Sequence, residues 1–302
     1  MTTRIAILDD YQDVARRYGD WDSLDAEVVV FTDHHDDIGH LEPFDVIMAM
    51  RERTPFPRER LRRLPNLKLL VTTGMGNAAI DTDAARELGI TVAGTGGTPT
   101  HTAELTWGLI LGLARQIPEE DARVRAGGWQ QTVGFELAGR TLGVIGLGRL
   151  GSQVARIGEA FGMHVIAWSQ NMETSLTKED LLRRSDVVTI HVRLSERTRG
   201  LIGAEELALM KPTAYLINTS RGPIVDEDAL LAALHNNEIA GAGIDVYAEE
   251  PLPPDHPLRT APNTVLTPHI GYVTDASYAR FYEDAVEDIA AWQRGEPIRL
   301  ID

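Results

Sequence analysis

The sequence contains no cysteine. Disulfides, zinc–thiolate sites, iron–sulfur clusters and a cysteine nucleophile are excluded, because each requires a thiol. A long apolar run is also missing. The most apolar stretch, Leu105–Ala114, covers about half of the roughly 20 residues that a membrane-crossing helix needs. The apolar core of the N-terminus, Ile5–Leu8, is too short for the h-region of a signal peptide. Cations are scarce as well: 29 Lys and Arg stand against 45 Asp and Glu, a formal net charge of −16. Neutralising nucleic-acid phosphates needs a basic face, so this balance argues against such a partner. These absences predict a cytoplasmic protein without a membrane or nucleic-acid partner.

What is present is an ordinary globular balance, 43% hydrophobic and 25% charged over 302 residues, enough for about two domains on a prior of roughly 150 residues each. No repeat or low-complexity segment interrupts it. Strand-like runs recur at 4–9, 27–31, 45–50, 67–72 and 91–94, and again at 141–146, 164–169, 186–192, 214–220, 242–246 and 265–269. They are nearly continuous in apolar residues, as parallel strands buried on both faces should be. Alternation with helix-length stretches predicts an α/β protein with two doubly wound parallel-sheet domains. The Gly/Thr/Pro-rich stretch 94–100 separates them and leads into a long helix predicted over 101–117. With Trp107, Leu109, Ile110, Leu111 and Leu113, this helix reads as apolar nearly all round, hence buried between domains or subunits. A final helix is predicted at 275–293, placed to pack back on the first domain.

The strongest local signal is Gly146-Leu147-Gly148-Arg149-Leu150-Gly151, which follows a strand and opens a helix. Gly146 permits the tight turn, Gly148 lets backbone approach a pyrophosphate, and Gly151 lets the helix pack close to the strand. The helix N-terminus supplies N–H groups for the phosphates. The first series has Asp9 and Asp10 at the matching place, which would repel a pyrophosphate. One half therefore binds the dinucleotide and the other is left for substrate. The second strand of the glycine-turn unit ends in Trp168-Ser169-Gln170-Asn171, with Ser169 rather than an acid 18 residues after Gly151. A serine bonds a ribose hydroxyl without repelling a 2′-phosphate, so NAD and NADP both stay open. Arg193, after the third strand, is the candidate partner for that phosphate.

Three later motifs follow in order: Asn218-Thr219-Ser220-Arg221-Gly222, Asp245-Val246-Tyr247-Ala248-Glu249-Glu250-Pro251 and Thr267-Pro268-His269-Ile270-Gly271. Together with residues 67–81, they make the chain resemble the D-isomer-specific 2-hydroxyacid dehydrogenases, a family that includes phosphoglycerate dehydrogenases and glyoxylate/hydroxypyruvate reductases. The resemblance runs over essentially the whole chain. It implies a Rossmann cofactor domain at about 99–272 and a flavodoxin-like substrate domain at 1–98, completed by 273–302, with a cleft between them. It implies Arg221, Glu250 and His269 as catalytic residues. The chemistry agrees, since a histidine suits a proton exchanged near neutrality, a carboxylate beside it would stabilise the imidazolium, and an arginine offers a fork to a 2-oxo-acid. Glu250 rather than Glu249 is chosen because the proline that follows it completes the family's Glu-Pro dipeptide. The related formate dehydrogenases carry glutamine there, so Glu250 points to an alcohol–carbonyl reaction.

The same matching implies cofactor contacts at Gly146, Gly148, Arg149, Leu150, Gly151, Ser169, Val192, Thr219, Ser220, Arg221, Asp245, His269, Gly271 and Tyr272, with Asp245 facing the nicotinamide amide. It implies substrate contacts at Arg51, Gly74, Met75, Gly76 and Arg221, the loop glycines turning backbone N–H groups toward a carboxylate. The implied ligands are NAD or NADP, with a slight lean to NAD, and a small 2-hydroxy or 2-oxo acid; the implied assembly is a homodimer. The family usually has proline where this chain has Arg193, which bears on the adenosine side.

Other candidates are weaker. Asp33-His34-His35-Asp36-Asp37 with His40 offers metal-ligating types, but reads as a solvated acidic loop, so no metal is expected. Asn218-Thr219-Ser220 fits a glycosylation sequon at a strand end expected to be buried. Trp129 and Tyr272 are pocket walls or core residues. A nicotinamide-sensing corepressor on the same fold is the rival reading; long flanking tails would favour it, and this chain ends just after its last helix, which also speaks against an appended regulatory domain.

Overall fold

The computed structural model describes residues 2–35, 37–98, 101–170 and 176–301. The chain forms two compact units, Met1–Thr98 with Val273–Asp302 and Pro99–Tyr272.

The first unit holds five parallel strands: β1 (Thr3–Ile7), β2 (Ala26–Val30), β3 (Val46–Ala49), β4 (Leu69–Thr72) and β5 (Thr91–Gly94). Their order is β2-β1-β3-β4-β5, the flavodoxin-like arrangement, with its reversal between β1 and β3. Every residue of β3 and β4 is buried, which is why these segments read as unbroken apolar runs. The helix Asp275–Gln293 belongs to this unit. Thr274 caps it, its Oγ1 accepting from Ser277 N at 3.2 Å. It buries Tyr278, Phe281, Tyr282, Ala285 and Ile289, a helical-period stripe packed against β4 and β5.

After this helix the chain returns to β5. Gly94 N donates to Arg299 O and Ile301 N donates to Val92 O, with an antiparallel bridge between Ala93 and Leu300. The tail thereby covers part of a sheet edge. Arg299 donates from Nε to Asp288 Oδ1 at 2.8 Å and pairs with Glu287 Oε2 at 2.7 Å. Asp284, also buried, accepts from Gly96 N at 2.7 Å and pairs with Arg280 at 2.9 Å.

The second unit holds six parallel strands: β6 (Thr141–Ile145), β7 (His164–Trp168), β8 (Val187–Ile190), β9 (Tyr215–Asn218), β10 (Gly241–Ile244) and β11 (Thr264–Leu266). The order β11-β10-β9-β8-β6-β7 reverses between β6 and β8, as a Rossmann sheet does.

The helix expected over 101–117 is present over His101–Arg115, and a second, unexpected helix, Ile117–Arg125, follows it. The first, His101–Arg115, ends where Gln116 takes a left-handed φ of 50° and Pro118 follows in the opening turn of the second, Ile117–Arg125. A proline there cannot continue the preceding ladder but suits a helix start. Nor is the first helix apolar all round, because Glu104, Gly108 and Arg115 form an exposed stripe. The second helix buries none of its residues. Near it Ile117, Val124, Trp129 and Val133 are exposed, Trp129 at 75%, so Trp129 is not a core residue.

Candidate active site

Every site residue of the second unit lies just beyond the carboxyl end of a strand, where ligands of open α/β sheets gather. The glycine turn follows β6, Ser169 follows β7, Val192 follows β8, Thr219–Arg221 follow β9, Asp245 and Glu250 follow β10, and His269 follows β11.

The glycine turn is shaped by contact. Gly146 has φ 97°, and a Cβ there would strike His191 O; a Cβ on Gly151 would strike Gly146 O. The helix Arg149–Ala160 consequently buries Gly151, Val154, Ala155 and Gly158, whereas the larger Phe161 just after it is 40% exposed. Small residues win the sheet-facing positions because the helix lies so close. A Cβ on Gly148 would meet nothing within 4 Å. Gly148 is also the N-cap and offers no side-chain acceptor to the first turn, so that turn's N–H groups are left for an anion. An open backbone approach at a helix N-terminus fits a dinucleotide pyrophosphate.

His269 and Glu250 meet. His269 Nδ1 donates to Glu250 Oε2 at 2.6 Å, the carboxylate being acceptor only. Glu250 is oriented in turn by Tyr247 N, which donates to Oε1 at 2.9 Å. His269 has a left-handed φ of 53°, a conformation that persists only where surroundings enforce it. Buried Asp245 enforces it here: Oδ1 accepts from Thr267 Oγ1 at 2.6 Å and Ile270 N at 2.8 Å, and Oδ2 from Gly271 N at 2.9 Å. Burial holds the Asp245 carboxyl above the usual range, against these hydrogen bonds and the nearby His269. Asp245 thus grips the turn bearing His269, a task its sequence position did not reveal. Tyr272 is buried and makes a T-shaped ring contact with His269, centroids 5.5 Å apart.

Arg221 leaves β9 beside Gly222, where a Cβ would collide with the backbone of Tyr247. Its Nη1 donates to Ser220 O at 2.7 Å, and its own carbonyl accepts from Asn218 Nδ2 at 3.0 Å. The hydroxyls of Thr219 and Ser220 are occupied: Thr219 Oγ1 lies 2.9 Å from Thr106 Oγ1, and Ser220 Oγ donates to Ile190 O at 2.6 Å. Both residues are buried, so these side chains brace the strand end. Burial lowers the His191 pKa to about 4, keeping that ring neutral. Ser169 is half-buried and Arg193 exposed; Asn171 lies outside the described residues.

In the first unit Arg51 follows β3 and the 74–76 loop follows β4. Arg51 Nη1 donates to Thr73 O at 3.1 Å, and its backbone N to Thr73 Oγ1 at 2.9 Å. Glycine suits position 74 because its φ is 86°, a left-handed conformation that side chains disfavour; a Cβ there would also displace the Arg51 guanidinium. The Gly74 N–H donates to Thr95 Oγ1 at 2.9 Å. The Gly74 N–H is thus engaged within this unit, unlike what a ligand-facing donor needs. Met75 is 57% exposed.

The acidic loop is largely exposed, but His34 Nδ1 lies 3.1 Å from Asp9 Oδ1 and the His35 and His40 rings pack against Phe31. Asp36 lies outside the described residues. Among the described residues no group of three or more His, Asp or Glu is placed to hold a metal, and no helix is long and apolar enough to cross a membrane.

Comparison with known proteins settles the family. Residues 107–271 match the family model described as D-isomer specific 2-hydroxyacid dehydrogenase, NAD binding domain. The chain belongs to this dehydrogenase family. It is 44% identical over 262 residues to a glyoxylate reductase of Aeropyrum pernix, covering 80% of this chain and 78% of that one. The dehydrogenase superposes on a phosphoglycerate oxidoreductase from Vibrio cholerae O395 with a TM-score of 0.92 at 36% identity, covering 97% and 99% of the two chains. It also superposes on the D-lactate dehydrogenase of Aquifex aeolicus, solved with NAD and lactic acid, with a TM-score of 0.80 at 30% identity over 97% and 96%. The enzyme is an NAD(P)-dependent oxidoreductase.

Proposed function

We propose that this dehydrogenase interconverts a small 2-oxo-acid and the corresponding D-2-hydroxy acid, using His269 and Glu250 as its proton-handling pair. The observation that carries this reading is the 2.6 Å hydrogen bond from His269 Nδ1 to Glu250 Oε2, at the strand ends that also bear the glycine turn. The relatives named for glyoxylate, phosphoglycerate and lactate support a substrate with a carboxylate beside the reacting carbon.

The dinucleotide's phosphates would rest on the 146–151 turn, with Ser169 and Val192 toward the adenosine side. When bound, the nicotinamide supplies or accepts the hydride at C2. With Nδ1 committed to Glu250, His269 holds the transferable proton on Nε2. In reduction the imidazolium gives that proton to the oxygen on C2; in oxidation neutral Nε2 takes it back. Glu250 fixes the ring and balances its charge in the protonated state. Arg221 binds the substrate carboxylate and polarises the carbonyl. Arg51 and the Met75 and Gly76 N–H groups are assigned to the substrate's carboxylate end, and residues 1–98 with 273–302 to the substrate domain. The exposed apolar residues around the helix Ile117–Arg125 support a homodimer.

The test is a steady-state comparison of NADH and NADPH across glyoxylate, hydroxypyruvate, pyruvate and longer 2-oxo-acids. Turnover with at least one, lost in His269→Ala, is expected. Coenzyme binding without turnover on any of them would sink the reading and favour a nicotinamide-sensing corepressor instead.

A further inference from the structure

We propose that His101 is a positioning residue for this reaction, holding the turn that carries His269 through the backbone carbonyl of Gly271. The proposal rests on the assignment of His269 given above.

Asp245 restrains only the donor side of that turn, through Thr267 Oγ1, Ile270 N and Gly271 N. The acceptor side is held from elsewhere. Gly271 O receives His101 Nδ1 at 2.6 Å and Thr102 Oγ1 at 3.1 Å. The carbonyl oxygen has lone pairs and no hydrogen, so His101 Nδ1 must carry the proton. That fixes the ring's tautomer, with Nε2 bearing the lone pair when the ring is neutral. His101 is also the first residue of a 15-residue helix, so the bond anchors the turn to the start of that helix. The result is a short hydrogen bond from Nδ1–H to a residue two positions from His269.

Gly271 is therefore gripped at both its N–H and its C=O. A rotation of either flanking peptide, which would swing His269 off Glu250, must break one grip. The two partners also stand at the ends of the second unit: His101 is its third residue and Gly271 its second from last. The bond ties together the two places where the chain enters and leaves this unit, and the catalytic turn sits beside that tie. Nothing in the helical pattern of 101–115 distinguishes His101 for this role.

The test uses His101→Ala and His101→Asn in the full chain, with coenzyme binding and thermal melting as folding controls. The alanine variant should lose at least about 10-fold in kcat while KM for the 2-oxo-acid and coenzyme stays within about 3-fold, as expected of a residue that acts through the turn rather than on either ligand. Asparagine, whose amide N–H can reach the same carbonyl, should recover to within about 3-fold of the parent. In the ¹⁵N-histidine-labelled protein, long-range ¹H–¹⁵N spectra should show the His101 ring as the Nδ1–H tautomer at neutral pH. An unchanged kcat in His101→Ala, a loss that asparagine does not recover, or an Nε2–H tautomer would each overturn the proposal. If the parent protein shows no turnover, the proposed function falls, and the tautomer still decides whether the clasp exists.

Discussion

At the scale of single residues, His269 is the point on which the proposed chemistry turns, and its surroundings separate holding from reacting. Removing the ring removes the proton carrier, so His269→Ala should lose about 10²–10⁴-fold in kcat with coenzyme affinity nearly unchanged, as read by nicotinamide fluorescence. Glu250→Gln keeps an oxygen to accept from Nδ1 but not the charge that balances an imidazolium. It should cost about 10²-fold in kcat; a wild-type rate would show that Glu250 only orients the ring. The residues proposed to react were legible because each stands in a short ordered motif. Their supports were not. Thr267, Thr95, Thr73 and the N–H of Tyr247 act through backbone geometry, and a threonine that closes a turn looks in sequence like any other strand-end threonine. Gly74 illustrates the difference: its identity signalled a loop, but only the structure shows its N–H engaged by Thr95 and its missing Cβ making room for Arg51.

At the scale of elements, all eleven strands were visible as apolar runs, yet their ladders stop short of those runs. The run 186–192 pairs only over Val187–Ile190, and 214–220 only over Tyr215–Asn218. The residues that peel away, such as Val192, Thr219 and Ser220, are among the candidate site residues. Helix ends were harder, because the break at Gln116 depends on a local left-handed turn rather than on hydrophobic period. The glycine turn yields a discriminating pair of variants. Gly148→Ala adds a methyl to open space at a φ of −77°, so the fold should keep its Tm while coenzyme affinity falls about 10-fold or more. Gly151→Ala drives a methyl into the Gly146 carbonyl and should lower the Tm itself. If both variants merely melt earlier, the open approach over Gly148 has no ligand role.

The C-terminal tail carries a pH dependence. Burial, aided by Asp284 and Glu287 and opposed by Arg299, raises the Asp288 pKa to about 7. The folded protein therefore keeps this proton to a higher pH than the unfolded chain, whose value is near 3.8. Where the native state binds the extra proton, stability falls as pH rises, here between about 4 and 7. Asp288→Asn removes the buried charge, so its Tm relative to the parent should be higher at pH 8 than at pH 5. The opposite ordering would show that the Arg299 pairing outweighs desolvation.

At the scale of the whole molecule, the net charge of −16 confronts a substrate and a coenzyme that are both anions. Attraction then rests on local groups, for which Arg221, Arg51 and helix N–H groups are the proposed candidates, against a repulsive field. Raising the ionic strength from about 0.01 to 0.15 M shortens the screening length from about 30 to 8 Å. If the field dominates at distance, KM for the 2-oxo-acid should fall over that range; a steady rise would mean the local arginines govern approach. The proposed dimer should run in light scattering at twice the 33.2 kDa chain mass. Trp129 should then emit at shorter wavelength in the parent than in a variant forced to be monomeric.

The discontinuous first unit also sets an order of assembly. During synthesis Met1–Thr98 emerges first, yet the helix that supplies Tyr278, Phe281 and Tyr282 to its interior comes last. The segment Pro99–Tyr272 is contiguous and can close its own sheet while the ribosome is still working. Residues 1–98 are thus finished only after residues 99–272 have been made, and through that interval they expose the β4 and β5 surface that the helix Asp275–Gln293 will cover. A nascent chain stalled before residue 275 should be cut by protease within its first hundred residues while the middle segment survives.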